Sequence, residues 1–314
     1  MLGHEGVGIV EGVIDTRSKA EVAGHEMVGA RVVVEINCPC ADTGDDTSTS
    51  ASIKRALEDP VYFRNHFPRR TVLGIIARDG LLAERALVPL DNCIVVPDGL
   101  TDTEAAFAEP LAAAYRIVEQ EICCGSDRNQ QNQRVAVIGD GKLGLLIAHV
   151  LVTKASPATE VWHFGRHERK LAMVDTHRRV LGDDIPEGAM GSFDVAIEAS
   201  GSPAGVERAI ELLRPMGTLV LKTTCSLDAD PASLPNWSAM ANDIVVNEKR
   251  VVGSRCGPQK KALELLAADA GTRTLVNGMV DRVYEGLDEA IAALDHASRR
   301  GSLKVMVRVA ARDE

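Results

Sequence analysis

The chain has 314 residues, 45% of them hydrophobic and 25% charged, and a formal net charge of −10. That length is about twice a usual single domain, so two domains are expected, each able to bury a core. The acidic balance, with Lys and Arg scattered rather than clustered, argues against nucleic acid as a partner, and no apolar run reaches the roughly 18 residues of a membrane-spanning helix.

The first residues, Met1-Leu2-Gly3-His4-Glu5, have neither the basic stretch nor the apolar core of a secretory signal. Together with an odd number of cysteines, seven, this predicts reduced thiols, including adjacent Cys123 and Cys124, and a soluble, cytoplasmic protein. From Val7 to Ile36, short β-branched runs punctuated by glycine read as antiparallel strands of a small barrel-like domain. Residues 41–70 are a polar excursion with one possible helical turn at Ser52 to Glu58. The runs TVLGIIARDG, ERALVPL and CIVVPDGL then read as further strands, and Thr103-Glu104-Ala105-Ala106 opens a helix.

After a polar linker, Ser126 to Gln133, the texture changes to RVAVIG, KLGLLIAHVLV, EVWHFG, ERKLAMVDTHRRVLG, FDVAIEASG, AGVERAIELLRPMG and TLVLKTTC. Strand and helix patterns alternate here, which predicts a parallel sheet covered on both faces. From Arg250 the tail reads as a strand, helices at Lys260 to Ala268 and Leu287 to Arg299, and a last strand, LKVMVRV. The fold class is therefore α/β.

The strand Arg134 to Ile138 runs directly into Gly139-Asp140-Gly141-Lys142-Leu143-Gly144 and an apolar helix. In that context a G-x-G-x-x-G pattern is a dinucleotide turn. Its first glycine permits the tight turn, the second lets the backbone approach the pyrophosphate, and the third lets helix pack on strand. The place where an NAD site carries Asp or Glu reads Gly165-Arg166-His167. A guanidinium there pairs with a 2′-phosphate, which favours NADP(H). The other reading has Arg166 solvated and Glu168 turned to the ribose, giving NAD(H).

Six segments together resemble the zinc-type medium-chain dehydrogenase/reductase superfamily, the alcohol and sorbitol dehydrogenase relatives, over essentially the whole length. They are Gly3-His4-Glu5 with Gly8, RVVVEINCPC, RTVLGI, Ala108-Glu109-Pro110-Leu111-Ala112, GDGKLG and VVNEKRVVGSRCGP. The resemblance implies a GroES-like β-barrel catalytic domain over residues 1–108 and a Rossmann doubly wound domain over 109–252. Residues 253–314 would return to the catalytic domain. It also implies a catalytic zinc at His4, with Glu5 beside it and Glu109 as the other donor, acting on a small alcohol or carbonyl substrate in a possible homodimer.

The family pattern is not matched everywhere. Its members carry a cysteine ligand, and two residues on a proton-relaying hydroxyl, before the Gly-His-Glu motif, and this sequence begins after both; the expectation is a weak zinc site and little alcohol oxidation. A structural zinc lobe is not expected either, because Cys40 alone fits its spacing, Thr43, Asp46 and Phe67 standing at the other places. The leading expectation is an alcohol-dehydrogenase-like oxidoreductase. A nicotinamide-dinucleotide-binding protein without turnover is the alternative, and His4, Glu5 and Glu109 weigh against a zinc-independent quinone-reductase type.

Overall fold

The computed structural model describes residues 2–15, 18–39, 64–67, 69–123, 133–225 and 236–309. The helical turn expected at Ser52 to Glu58, the positions Cys40, Thr43, Asp46 and Cys124, and most of the 126–133 linker lie outside the described residues. Two compact units are present, one formed by Met1–Glu109 with Pro258–Glu314 and the other by Pro110–Gly257.

The first unit opens with short strands: β1 (Val7–Ile9), β2 (Arg31–Val34), β3 (Asn37–Cys38), β4 (Thr71–Val72) and β5 (Cys93–Val95). Central β2 pairs antiparallel with β1 and β5, Val33 standing opposite Val7 and Ile94, and β3 pairs antiparallel with β4. Val32, Val33 and Val34 are all buried, as expected of a β-branched strand covered on both faces. The strand expected at ERALVPL does not form: Pro89, at φ −62°, donates no N–H and leads into a 3-10 turn at Leu90–Asn92. Only Thr71 and Val72 of TVLGIIARDG are strand, because Gly74 and Ala77 adopt positive φ and fold the chain back on Val72. Helix α1 (Asp102–Ala105) starts with a capping box between Thr101 and Glu104, and α2 (Ala108–Glu119) follows.

The second unit is built on β6 (Arg134–Ile138), α3 (Lys142–Lys154), β7 (Glu160–Gly165), α4 (Glu168–Leu171), β8 (Arg178–Leu181), β9 (Phe193–Glu198), α5 (Pro203–Leu212), β10 (Leu213–Leu221), α6 (Trp237–Val246) and β11 (Arg250–Gly253). Its six strands are all parallel, in the order β8-β7-β6-β9-β10-β11. The direction of winding reverses between β6 and β9, and that reversal opens a crevice at the carboxyl ends of the strands. The segment ERKLAMVDTHRRVLG, expected as one helix, is helical only at α4. Its Arg178–Leu181 end instead pairs with β7 and buries Val180, since the edge of β7 offers a ladder that a solvated helix does not.

The chain then re-enters the first unit through α7 (Gln259–Ala268), α8 (Ala270–Gly278), β12 (Val280–Glu285), α9 (Ala290–Ala297) and β13 (Lys304–Arg308), with β12 and β13 paired in parallel. The return is fixed by a buried polar knot. The Glu35 carboxylate accepts from the backbone N–H of Gln259 at 3.0 Å and from Arg64 at 3.2 Å, while Gln259 Nε2 donates to the Val34 carbonyl at 2.8 Å. Among the described residues, no helix is long and apolar enough to cross a membrane.

On one face of the parallel sheet, Phe193 packs edge-on to Trp162 and Phe164, with ring centroids 5.3 and 5.8 Å away. Phe193 is fully buried, so Phe193→Ala should destabilise this unit by about 3–5 kcal/mol. Chemical unfolding followed by tryptophan fluorescence checks this; a loss under about 1 kcal/mol would mean that the cavity collapses.

Candidate functional site

The turn after β6 is shaped by steric need. Gly139 has φ +118°, and a Cβ there would lie 2.8 Å from the Ala199 backbone at the end of β9. A Cβ on Gly144 would lie 2.0 Å from the Gly139 carbonyl oxygen, so the first turn of α3 can approach β6 only without a side chain. Gly141 meets nothing within 4 Å, and as N-cap of α3 it offers no capping side chain. Its neighbours Lys142 and Leu143 begin the helix half-buried. The result is an uncluttered helix N-terminus at the crevice, with the partial positive charge that suits a phosphate.

Asp140, between the first two glycines, ties this turn to the loop after β7. Its Oδ2 accepts from the backbone N–H of Arg166 at 2.7 Å and of His167 at 2.6 Å, and lies 2.9 Å from His167 Nδ1. Gly165 is required for this approach, because a Cβ there would stand 2.6 Å from Asp140 Cβ. Burial by itself raises the Asp140 pKa, but the His167 and Arg166 hydrogen bonds outweigh it and hold the carboxyl below its ordinary value. The Arg166 side chain is exposed at the end of β7. Beneath the turn, fully buried His163 places Nε2 2.8 Å from the Gly139 carbonyl. A carbonyl only accepts, so Nε2 carries the proton, and burial lowers the pKa of this ring.

A second constellation lies in the first unit. His4, Glu5 and Glu109 are half-buried, and each offers a ligand atom within 4.8 Å of the others. The segment carrying His4 is held close to the strand-turn region: Leu81 and Leu82 donate their N–H groups to the carbonyls of Gly3 and Leu2 at 2.8 and 2.9 Å. A Cβ at Gly80 would meet Gly3 O at 2.3 Å and one at Gly74 would meet it at 2.7 Å. Glu109 comes from the first turn of α2, where the helix dipole favours a carboxylate. Glu5 is paired with the ammonium of buried Lys304 on β13, which also lies 5.3 Å from the Phe107 ring centroid.

Asp140, Lys304, Gly74 and Gly80 were not singled out in the sequence. A carboxylate between two motif glycines was a visible signal, whereas Lys304 looked like one charge in an amphipathic strand. At the lobe expected to lack metal, Phe67 is packed at 2% exposure, and the Cys38 thiol is buried, which pushes its pKa up.

A family model described as "Glucose dehydrogenase C-terminus" matches residues 103–309. Among curated proteins, the chain is 27% identical to D-xylulose reductase A of Aspergillus oryzae, covering 92% of this chain and 76% of that one. It is 26% identical to glucose 1-dehydrogenase of Halobacterium salinarum, covering 98% and 82%. A solved zinc-binding dehydrogenase of Sinorhizobium meliloti bound to NADP, described as putative, superposes with a TM-score of 0.74 at 26% identity, over 98% of this chain and 83% of that one. Galactitol-1-phosphate dehydrogenase of Escherichia coli gives the same TM-score at 22% identity, over 97% and 83%, a likeness of fold.

A carboxyl whose folded pKa lies below its unfolded value adds stability above the unfolded value, about 3.9 for Asp, and loses it as pH falls through the folded value. Asp140→Asn should therefore lower the unfolding midpoint at neutral pH by an amount that shrinks once pH drops below about 4. Thermal melts of both proteins across the acid range check this, and a difference independent of pH would show that the Asp140 charge contributes nothing.

Proposed function

The chain belongs to the glucose dehydrogenase C-terminus family, and on that basis we propose an oxidoreductase that transfers hydride between NADP(H) or NAD(H) and a small alcohol, polyol, aldehyde or ketone with zinc assistance. The observation that carries this reading is the conjunction, in one chain, of a sterically forced glycine turn at the sheet reversal with the His4, Glu5 and Glu109 cluster. Relatives named for xylulose and glucose support a polyhydroxylated substrate.

In this reading residues 1–108 and 253–314 form the catalytic domain and 109–252 the dinucleotide domain. The backbone of Gly139, Gly141, Lys142, Leu143 and Gly144 receives the pyrophosphate, and Gly165, Arg166 and His167 receive the adenosine ribose. With Asp140 committed to main-chain donors, the exposed Arg166 guanidinium is the charge that meets a 2′-phosphate.

The donor set suits zinc, which takes imidazole and carboxylate ligands and keeps a position open for substrate in catalytic sites. His4 and Glu109 would hold it. Glu5, shared with the Lys304 ammonium, would balance charge and orient the cluster from behind. When bound, the metal supplies Lewis-acid polarisation of the substrate oxygen and the dinucleotide supplies the hydride acceptor or donor. The chain's own residues position both groups. The reduced state expected of its cysteines keeps a cytoplasmic setting in this reading.

Two measurements test it. His4→Ala and Glu109→Ala should each lose bound zinc and lower kcat/KM for polyol oxidation by about 100-fold or more. Activity and metal content that survive both changes would sink the zinc assignment. In fluorescence titrations, Arg166→Ala should weaken NADPH about 10- to 100-fold, the loss of one charge-assisted contact, and change NADH far less. Equal weakening of the two dinucleotides would remove Arg166 from the 2′-phosphate site.

A further inference from the structure

Glu198, the last residue of β9, is a fully buried carboxylate. Its Oε1 accepts from the Ser200 backbone N–H and hydroxyl, both at 2.6 Å, and from the Gly201 N–H at 3.0 Å. Its Oε2 accepts from the Thr223 hydroxyl at 2.8 Å, just beyond the end of β10. All four donors are neutral, and no cation pairs with Glu198 among the described residues. Lys222, beside Thr223, directs its ammonium to the Ser254 hydroxyl at 2.9 Å and the Arg255 carbonyl at 2.7 Å. Both oxygens of this carboxylate are held by neutral dipoles, and among the described residues no counter-charge stands against them. Its field reaches out to Cys225, whose thiol pKa is raised first by burial and then by this charge.

The position of this charge matters because of the sheet order. In a doubly wound sheet a dinucleotide lies across the reversal of strand order, with its pyrophosphate on the helix after the first strand. That helix is α3, and the adenosine ribose falls at the end of β7, so the other half of the molecule extends over the carboxyl ends of β9 and β10. There the loop Ala199-Ser200-Gly201 and Thr223 are drawn together by Glu198. The oxidised nicotinamide ring is a cation, and the reduced ring is neutral with nearly the same shape. A fixed negative charge in a low-dielectric sheet end therefore distinguishes the two chiefly by Coulomb energy.

We propose that Glu198 is a specificity-determining residue that makes the site favour the oxidised, cationic nicotinamide over the reduced ring. The inference rests on the dinucleotide-binding reading above. It also concerns a choice that the glycine turn cannot make, because the pyrophosphate is identical in both forms.

The test is the ratio of dissociation constants for NADP⁺ and NADPH, repeated with NAD⁺ and NADH, measured by calorimetry and by fluorescence at fixed ionic strength. Glu198→Gln keeps size and polarity and removes the charge. It should weaken the oxidised forms about tenfold, which is about 1.4 kcal/mol, while the reduced forms change less than about twofold. Equal weakening of both forms, or no change in the ratio, would reduce Glu198 to a structural brace and overturn the proposal. Thr223→Val provides the complementary variant if the first does not fold. It deletes one neutral donor and leaves the charge less screened, so the preference for the oxidised forms should grow; a fall in that preference overturns the proposal. If the unmodified protein binds none of the four dinucleotides, the dinucleotide reading fails, and this inference fails with it.

Discussion

The carbonyl oxygen of Gly139 is the point on which the dinucleotide-binding unit is assembled. Three elements meet it: β6, which delivers it; α3, whose Gly144 approaches so closely that a methyl group would collide; and β7, whose buried His163 donates to it. The loop after β9 presses on the same residue from the other side, through Ala199. The clashes at Gly139 and Gly144 dictate those two glycines by packing as well as by any ligand, whereas Gly141 meets nothing within 4 Å. His163 meets its other requirement poorly, since its Nδ1 is buried without a hydrogen-bond partner among the described residues. That cost is accepted where it fixes the orientation of the turn.

The alternation of strand and helix was legible because a parallel sheet buried on both faces leaves continuous apolar runs, as in β6, β7 and β9. What escaped was local. Residues 172–181 carried helical spacing yet supplied β8, because an unpaired sheet edge satisfies more backbone than a solvated helix end. Helix α6, helix α8 and strand β12 were not anticipated. Their exposed positions, such as Val245 and Val246 on α6 and Asp281 and Arg282 on β12, blur the periodicity on which such readings rest. Glu198 was hidden for a related reason: written at the end of FDVAIE, it looks like the polar stop of a strand, and nothing in one dimension says that four donors converge on it.

For the first unit, the Gly-His-Glu and Ala-Glu-Pro-Leu segments were readable as ligands only by resemblance. Composition gave no reason to join a residue at position 4 to one at position 109. Main-chain hydrogen bonds between residues 2–3 and 81–82, made possible by Gly74 and Gly80, anchor the segment that carries His4 and Glu5, while Glu109 is carried by the first turn of α2. The strand expected at ERALVPL fails near the same region, where Leu81 and Leu82 direct their N–H groups to the Gly3 and Leu2 carbonyls and Pro89 donates none. The cluster thus joins a strand-edge segment fixed by backbone pairing to a helix start, two elements whose meeting no local pattern announces.

The Glu35–Gln259 contact carries a consequence for how the protein is made. Its two residues are 224 positions apart, so at a synthesis rate of about 5–20 residues per second Glu35 leaves the ribosome roughly 10–45 s before its partner. Throughout that interval the carboxylate lacks the amide that accompanies its burial, and water must solvate it instead. The intervening unit, Pro110–Gly257, is a continuous stretch of chain whose strands find one another as they emerge. The middle unit can therefore be complete while Glu35 still waits for Gln259, and the first unit makes that contact only after the whole of the middle unit has been synthesised.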